Sequence, residues 1–211
     1  MTIHWHMEKR IISYPVGIRA MNHYAHLLRQ EKVANLIWGL QHDHVYTMGI
    51  RGEKKDFLFP VSCMIHQSKR GGQTTYHGPG QLIIYPIIRL KDYDIYPTDY
   101  VHYLQKWCCK AIASFGITPI LIDGRIGVFV NSPTPHKLIS IGIHISRGIT
   151  THGISINVHN DLNFFKSITP CGIQEASMCS FSTLGQEINI EEVFDRFKKH
   201  WFLCWFFTIL I

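Results

Sequence analysis

Leu138-Ile-Ser-Ile-Gly-Ile-His-Ile145 and Ile149-Thr-Thr-His-Gly-Ile-Ser-Ile-Asn-Val158 are separated only by Ser146-Arg-Gly148. Both read as strands, in which neighbouring side chains point to opposite faces. Ile139, Ile141, Ile143 and Ile145 then share one face, and Ser140, Gly142 and His144 the other. In the second stretch Ile154, Ile156 and Val158 oppose Gly153, Ser155 and Asn157. One face is built for a core, while the other is small and polar. Glycine and serine inside strands leave room for something to lie against the backbone. The bland alternative is a half-exposed sheet whose small residues face water.

Outward from this pair, β-branched runs predict strands at 33–38, 45–48, 82–88 and 126–130. Asn131-Ser-Pro-Thr-Pro-His136 is the strongest break, read as a loop inside one domain. Three helices follow from period. Ile18, Met21, Ala25 and Leu28 mark the first. Val101, Leu104, Cys108, Ala111, Ile112 and Phe115 mark the second, with Thr98 or Asp99 to start it and Gly116 to end it. The third runs over 190–205 on a stripe of Val193, Phe194, Phe197, Trp201 and Trp205, opened by an Asn189/Glu192 capping box.

The 211 residues fit a single domain over 1–211, with 46% hydrophobic and 17% charged residues, as in a compact soluble protein. A net charge of +6 and a pI near 9.0 favour acidic partners, but the basic residues form no long runs, which argues against nucleic acid. No Cys-x-x-Cys pair signals zinc or a redox couple. Cys108 and Cys109 fall mid-helix and read as packing residues; Cys63, Cys179 and Cys204 read as packing residues or free thiols. The first ten residues lack the apolar core of a signal peptide, so a cytoplasmic setting with reduced thiols is expected. The apolar stretch 201–211 is too short to span a bilayer and reads as the end of a buried helix.

Chemistry concentrates in three places. Arg70-Gly-Gly-Gln-Thr-Thr-Tyr-His-Gly-Pro-Gly-Gln81 reads as a shaped loop, in which Gly71 and Gly72 allow close approach to a ligand and Arg70, Tyr76 and His77 supply polar groups. A strand follows it, so it is neither a P-loop nor a Rossmann fingerprint. Thr169-Pro-Cys-Gly-Ile173 sets Cys171 in a turn, where a nearby cation would favour its thiolate. Lys137 enters the isoleucine-rich strand, where a lysine is most often solvated. Fourteen histidines invite a metal reading, yet no ligand spacing organises His42, His44, His77, His152 and His159. His77 or His152 as a base for Cys171 is the better alternative.

Taken together, these segments resemble the octanoyl (lipoyl) transferase family. The resemblance rests on the Arg70–Gln81 loop, Lys137-Leu-Ile-Ser-Ile-Gly142, Thr151-His-Gly-Ile-Ser-Ile-Asn157, Asp161-Leu162 and Pro170-Cys-Gly-Ile173, in order over about residues 20–200. It implies an α+β fold of the biotin/lipoate protein ligase kind, a mixed, largely antiparallel sheet with packed helices. It implies a ping-pong transfer of an octanoyl group from octanoyl-acyl carrier protein through a Cys171 thioester to a lysine. The acceptors would be lipoyl domains of 2-oxoacid dehydrogenase complexes and the glycine cleavage H protein.

Lys137 matches the family's catalytic lysine. Arg70, Gly71, Gly72, Gln73, Thr74, Thr75, Tyr76 and His77 match its acyl-substrate loop, and Ser140, Ile141, Gly142, Gly153, Ile154 and Ser155 its other substrate contacts. The resemblance implies no cofactor, no metal, no membrane and a monomer. Gln41-His-Asp-His44 and Gly148 depart from the family's pattern. Two other functions compete: an ATP-dependent lipoate or biotin ligase, which would not need Cys171, and a non-catalytic module that only holds a lipoyl domain or carrier protein.

Overall fold

The computed structural model describes residues 2–132, 134–168 and 178–201. The elements in chain order are β1 (Ile3–Ile12), α1 (Tyr14–Arg29), β2 (Asn35–His42), β3 (Val45–Met48), β4 (Met64–Gln67), β5 (Thr74–His77), β6 (Gln81–Ile87) and α2 (Tyr100–Ala113). There follow β7 (Pro119–Ile122), β8 (Arg125–Ser132), β9 (Thr134–Ser146), β10 (Ile149–Asn157) and α3 (Ile190–His200).

Seven strands form the main sheet in the order β1-β2-β6-β10-β9-β8-β7. Only β1 and β2 run parallel; every other pair is antiparallel. A small sheet, β4-β3-β5, sits apart from it. The mixed, largely antiparallel α+β architecture is the expected one.

The alternation in β9 and β10 decides which helices lie where. Ile139 pairs with Ile156 and Ile141 with Ile154, while Ser140 pairs with Ser155 and Gly142 with Gly153. The isoleucine face packs on α2 and α3 through Leu104, Trp107, Cys108, Ala111, Val193, Phe194 and Phe197, all buried. The opposite face receives α1, whose Met21, Ala25 and Leu28 meet Leu40, Ile83, Tyr85 and Ile87. Every residue of β10 is buried. The half-exposed alternative fails for β10, whose two faces are both covered, while Ser140–Ser146 of β9 are half-buried.

Helix boundaries follow their end chemistry. Pro15 stands in the first turn of α1, where its missing N–H is not needed. Asn189 Oδ1 accepts from Glu192 N at 2.8 Å, and Glu192 Oε2 accepts from Asn189 N at 3.1 Å, completing the expected box. Asp99 caps α2 without a side-chain bond, and Gly116 beyond it has φ +76°. The stripe on α3 is buried through Trp201; Trp205 and the apolar stretch 202–211 lie outside the described residues. Cys108 is fully buried and Cys109 packs beside it, as mid-helix packing residues should.

Three expectations need correction. The glycine-rich stretch is not all loop, since Thr74–His77 form β5 with Thr74 and Tyr76 fully buried. The proline-containing break is the tip of a hairpin paired down to Ser132 and Thr134, so β9 begins earlier than its isoleucines. Strand β1 was not anticipated, although Ile3, Trp5 and Met7 alternate with His4, His6 and Glu8 and pack on the core. No described helix is long and apolar enough to cross a membrane.

Candidate active site

Between the serine–glycine face of the sheet and the Arg70–His77 segment lies a narrow cavity of about 50 Å³. Arg70, Gly72, Gln73, Thr74, Thr75 and His77 line it from above, and Lys137, Ser140, Ile141, Gly142, Gly153, Ile154 and Ser155 from the sheet. Sequence reading missed Tyr14, Ile83, Tyr85 and Ile126, which together with His152 complete the lining. Tyr14 and Tyr85 gave no signal in sequence, because they stand on α1 and β6 and meet their neighbours His42, His77 and His152 only in the fold.

The small residues serve the protein's own chain as well as the cavity. A side chain at Gly142 would stand 3.1 Å from Arg70 Cδ and from Gly71 O, and Gly71 N donates to Ile143 O at 2.8 Å. The glycine-rich segment thus docks on the stretch of β9 that β8 leaves unpaired. Arg70 holds it there: Nε donates to Thr47 Oγ1 at 3.1 Å, Nη1 to Gly71 O at 3.0 Å, and Nη2 to Thr47. Thr74 Oγ1 donates to the buried Asp56 carboxylate at 2.6 Å. Gly71 lies on an outer groove, described below, and not on the cavity. Tyr76 points away from both, stacking on Phe164 at 4.5 Å with its hydroxyl 2.7 Å from His44 Nδ1.

Lys137 is 2% exposed, an unusual setting for a lysine. Its ammonium stands 5.1 Å from the centre of the Phe129 ring, its partner across the β8–β9 ladder. Gly127, at φ +132°, makes room for the lysine stem. A side chain there would meet Ile139 O at 2.6 Å and Lys137 Cε at 3.3 Å. The chain returns to described structure at Met178, which bridges to Lys137, and Cys179 N donates to Lys137 O at 3.0 Å. Cys171 lies outside the described residues. Cys179 is buried, which pushes its thiol up to about 12; it stays protonated and unreactive at neutral pH. Cys63 is partly buried beside the Tyr46–Tyr76 cluster.

A polar chain ties this end of the cavity to the glycine-rich segment. His77 Nδ1 donates to Gln81 Oε1 at 2.8 Å, Gln81 Nε2 to Asn157 Oδ1 at 2.9 Å, and Asn157 Nδ2 to Cys179 O at 3.0 Å. His42 donates to Ile12 O at 2.8 Å and accepts from Tyr85 at 2.8 Å. The departure at 41–44 is built in here, since Gln41 Oε1 also accepts from Gly80 N at 2.9 Å.

Burial lowers His42 to about 4 and His77 and His152 to about 3, with the Arg70 charge adding to the last two. Groups so weakly basic are poorly matched to proton abstraction near neutral pH. That counts against His77 or His152 as the base for a thiol.

The cavity opens, through Gly72, Gln73, Ile126, Lys137, Ile141 and Gly142, onto an outer groove of about 450 Å³. Exposed Ile50, Arg51 and Arg125 flank that groove. Neither arginine has an ion-pair partner among the described residues. A buried lysine in the wall of a narrow, largely apolar cavity with a cationic mouth is a site suited to a thin acyl chain.

A lipoate protein ligase from Thermoplasma acidophilum superposes with a TM-score of 0.71 at 14% identity, over 94% of this chain and 84% of its own. A lipoate-protein ligase A bound with ATP gives 0.69 at 13%, over 96% and 83%. In fold, then, the chain is similar to lipoate protein ligases.

Residues 16–202 match the lipoyl protein ligase A/B catalytic domain, and the chain belongs to that family. Its relatives include the octanoyltransferases of Wolbachia pipientis, 34% identical over 94% of this chain and 97% of theirs, and of Zymomonas mobilis, 32% identical over 91% and 89%. The enzyme class that these relatives define is acyltransferase.

Proposed function

We propose that the protein transfers an octanoyl group from octanoyl-acyl carrier protein to a lysine of lipoyl-type domains, by way of a thioester on Cys171. The observation that carries this reading is Lys137, buried in the cavity wall at the point where the chain that bears Cys171 returns to the sheet.

The chemistry runs in two halves. The Cys171 thiolate attacks the thioester carbonyl, a new C–S bond forms, and the carrier's thiol leaves with a proton. The amine of the acceptor lysine then attacks the acyl-enzyme, a C–N bond forms, and the Cys171 sulfur departs. Lys137 has two tasks: its ammonium favours the thiolate in the resting enzyme, and it relays protons between the attacking and leaving groups. Splitting one transfer into two thioester steps requires no nucleotide. The acyl chain lies in the cavity against Ile83, Tyr85 and the small residues Gly142, Gly153 and Ser155, and both protein partners approach across the outer groove. Arg51 and Arg125 there, with the net charge of +6, would speed encounter with acidic proteins more than they tighten the complex. The acceptors on this reading are lipoyl domains of 2-oxoacid dehydrogenase complexes and the glycine cleavage H protein, and the enzyme acts as a cytoplasmic monomer.

Intact-mass spectrometry after mixing with octanoyl-acyl carrier protein, without ATP, tests the proposal. It expects a gain of one octanoyl group that hydroxylamine removes and that Cys171→Ala abolishes. No gain with a competent carrier protein, together with ATP-dependent activation of free lipoate, would transfer the assignment to a ligase.

A further inference from the structure

The cavity has a second neighbour. Opposite the Lys137 mouth, a polar groove of about 460 Å³ runs between α1, β4 and the far ends of β9 and β10. It shares only Tyr14 and His152 with the cavity. These two side chains therefore stand between the narrow cavity and the wider groove.

Both are held in place at some cost. Strict alternation along β10 would send His152 to the α2–α3 side with Ile154. Instead its φ is +58°, a conformation that side chains with a Cβ rarely adopt. The turn brings the ring to the cavity side, edge-on to Tyr85 at 6.1 Å and 85°. The residue is 6% exposed, and its ring nitrogens have no hydrogen-bond partner among the described residues. The His152 N–H meets Met21 Sδ at 3.1 Å, and a strained backbone that turns the ring to this side points to a role for the ring in the place where it stands.

Tyr14 is 1% exposed and fixed from three sides. Its hydroxyl is 3.1 Å from Ser68 Oγ, it stacks on His77, and His42 and His66 meet it edge-on. The depressed basicity of His77 and His152 leaves these rings uncharged at neutral pH, so the end of an alkyl chain can rest against them without desolvating an ion.

We propose that Tyr14 and His152 form the end wall that sets the length of the acyl chain, and that His152 is the specificity-determining residue. The inference rests on the reading above, in which the carbonyl sits at Lys137 and the chain points inward. Removing the His152 ring joins the cavity to the groove and gives a longer chain somewhere to go.

His152→Gly is the decisive variant, because glycine adopts φ +58° without strain and keeps the strand on course. Protein with and without the change would be offered equimolar octanoyl-, dodecanoyl- and hexadecanoyl-acyl carrier protein, and the acyl-enzymes read by intact mass. The parent should take octanoyl in preference. The variant should raise the dodecanoyl and hexadecanoyl share relative to octanoyl by about tenfold or more, the scale of a few methylenes gained or lost in an apolar pocket.

Tyr14→Ala opens the same partition from α1 and should shift the ratio in the same direction, which keeps the test decisive should the glycine variant fold poorly. An unchanged chain-length ratio in variants that still form acyl-enzyme would overturn the end wall alone. No acyl-enzyme from the parent with any of the three donors would overturn the thioester reading itself, and the wall with it.

Discussion

The two faces of the seven-stranded sheet are built on opposite terms. Toward α2 and α3 the contacts are apolar and aromatic: Trp107 meets Phe197 at 5.3 Å and Trp201 at 4.7 Å, and the Trp107 indole donates to Phe197 O at 2.9 Å. Toward α1 and the glycine-rich segment the same sheet carries Lys137, His42, His152, Ser155 and Asn157, and it faces Arg70 and His77 of that segment, all buried. A fold gains stability from the first kind of burial and gives some up to the second, since buried polar groups must be individually satisfied. One face thus holds the molecule together, and the other holds reacting groups in a water-poor cavity.

The largest effect expected from this division is at Lys137. Lys137→Met keeps most of the stem against Phe129 and Gly127 but removes the ammonium. Acyl transfer should fall on the order of 10²–10⁴-fold, the usual contribution of a positioned proton-transfer group. Thermal unfolding of the variant should stay close to that of the parent. A variant that transferred at the parental rate would remove Lys137 from the chemistry and leave its burial without a purpose.

Phe197→Ala is the counterpart on the other face. It should cost about 3–5 kcal/mol of stability, as truncation of a buried aromatic does. The activity of the folded fraction should be preserved, as measured by urea unfolding beside acyl transfer below the transition. If stability survived and specific activity fell instead, the two faces would not be independent.

How much of this was legible depended on whether the signal was local. Ile139, Ile141, Ile154 and Ile156 announce their shared face by simple alternation, and Asn189 with Glu192 announces the start of α3. The family resemblance, carried by segments such as 70–81 and 137–142, anticipated the fold and the segments that meet at the cavity. What alternation could not show is that Gly142 accommodates the Arg70 stem and Gly71, because that contact joins residues about seventy positions apart. His152 escaped for a different reason. Its backbone leaves the extended region, and the two-residue period assigns its ring to the wrong face. Tyr14 stands ahead of the period that marks the first helix and becomes a cavity wall only through α1 packing on β10.

Acid should expose the difference between the faces more gently. His42, His77 and His152 have folded values of about 4, 3 and 3 against an ordinary value near 6.5. The unfolded chain binds more protons than the folded one between those limits, so stability is complete above about pH 6.5 and declines as pH falls toward 4. Each histidine contributes a slope approaching about 1.4 kcal/mol per pH unit. Urea midpoints from pH 7 to pH 5 should show this decline, and His77→Gln should flatten it while Phe197→Ala leaves its slope unchanged.

The smallest effect should come from Asn189, at the start of the helix that seals the apolar face. Its side chain satisfies the Glu192 N–H, and Glu192 returns a bond to the Asn189 N–H. Both bonds are solvent-exposed, so water replaces much of what their loss removes. Asn189→Ala should therefore cost only about 1 kcal/mol, Asn189→Ser almost nothing, and acyl transfer should not change in either. The value of so small an effect is its direction. α3 reaches the cavity only through the sheet, so a loss of activity in Asn189→Ala larger than its loss of folded protein would mean that the sheet transmits strain from one face to the other.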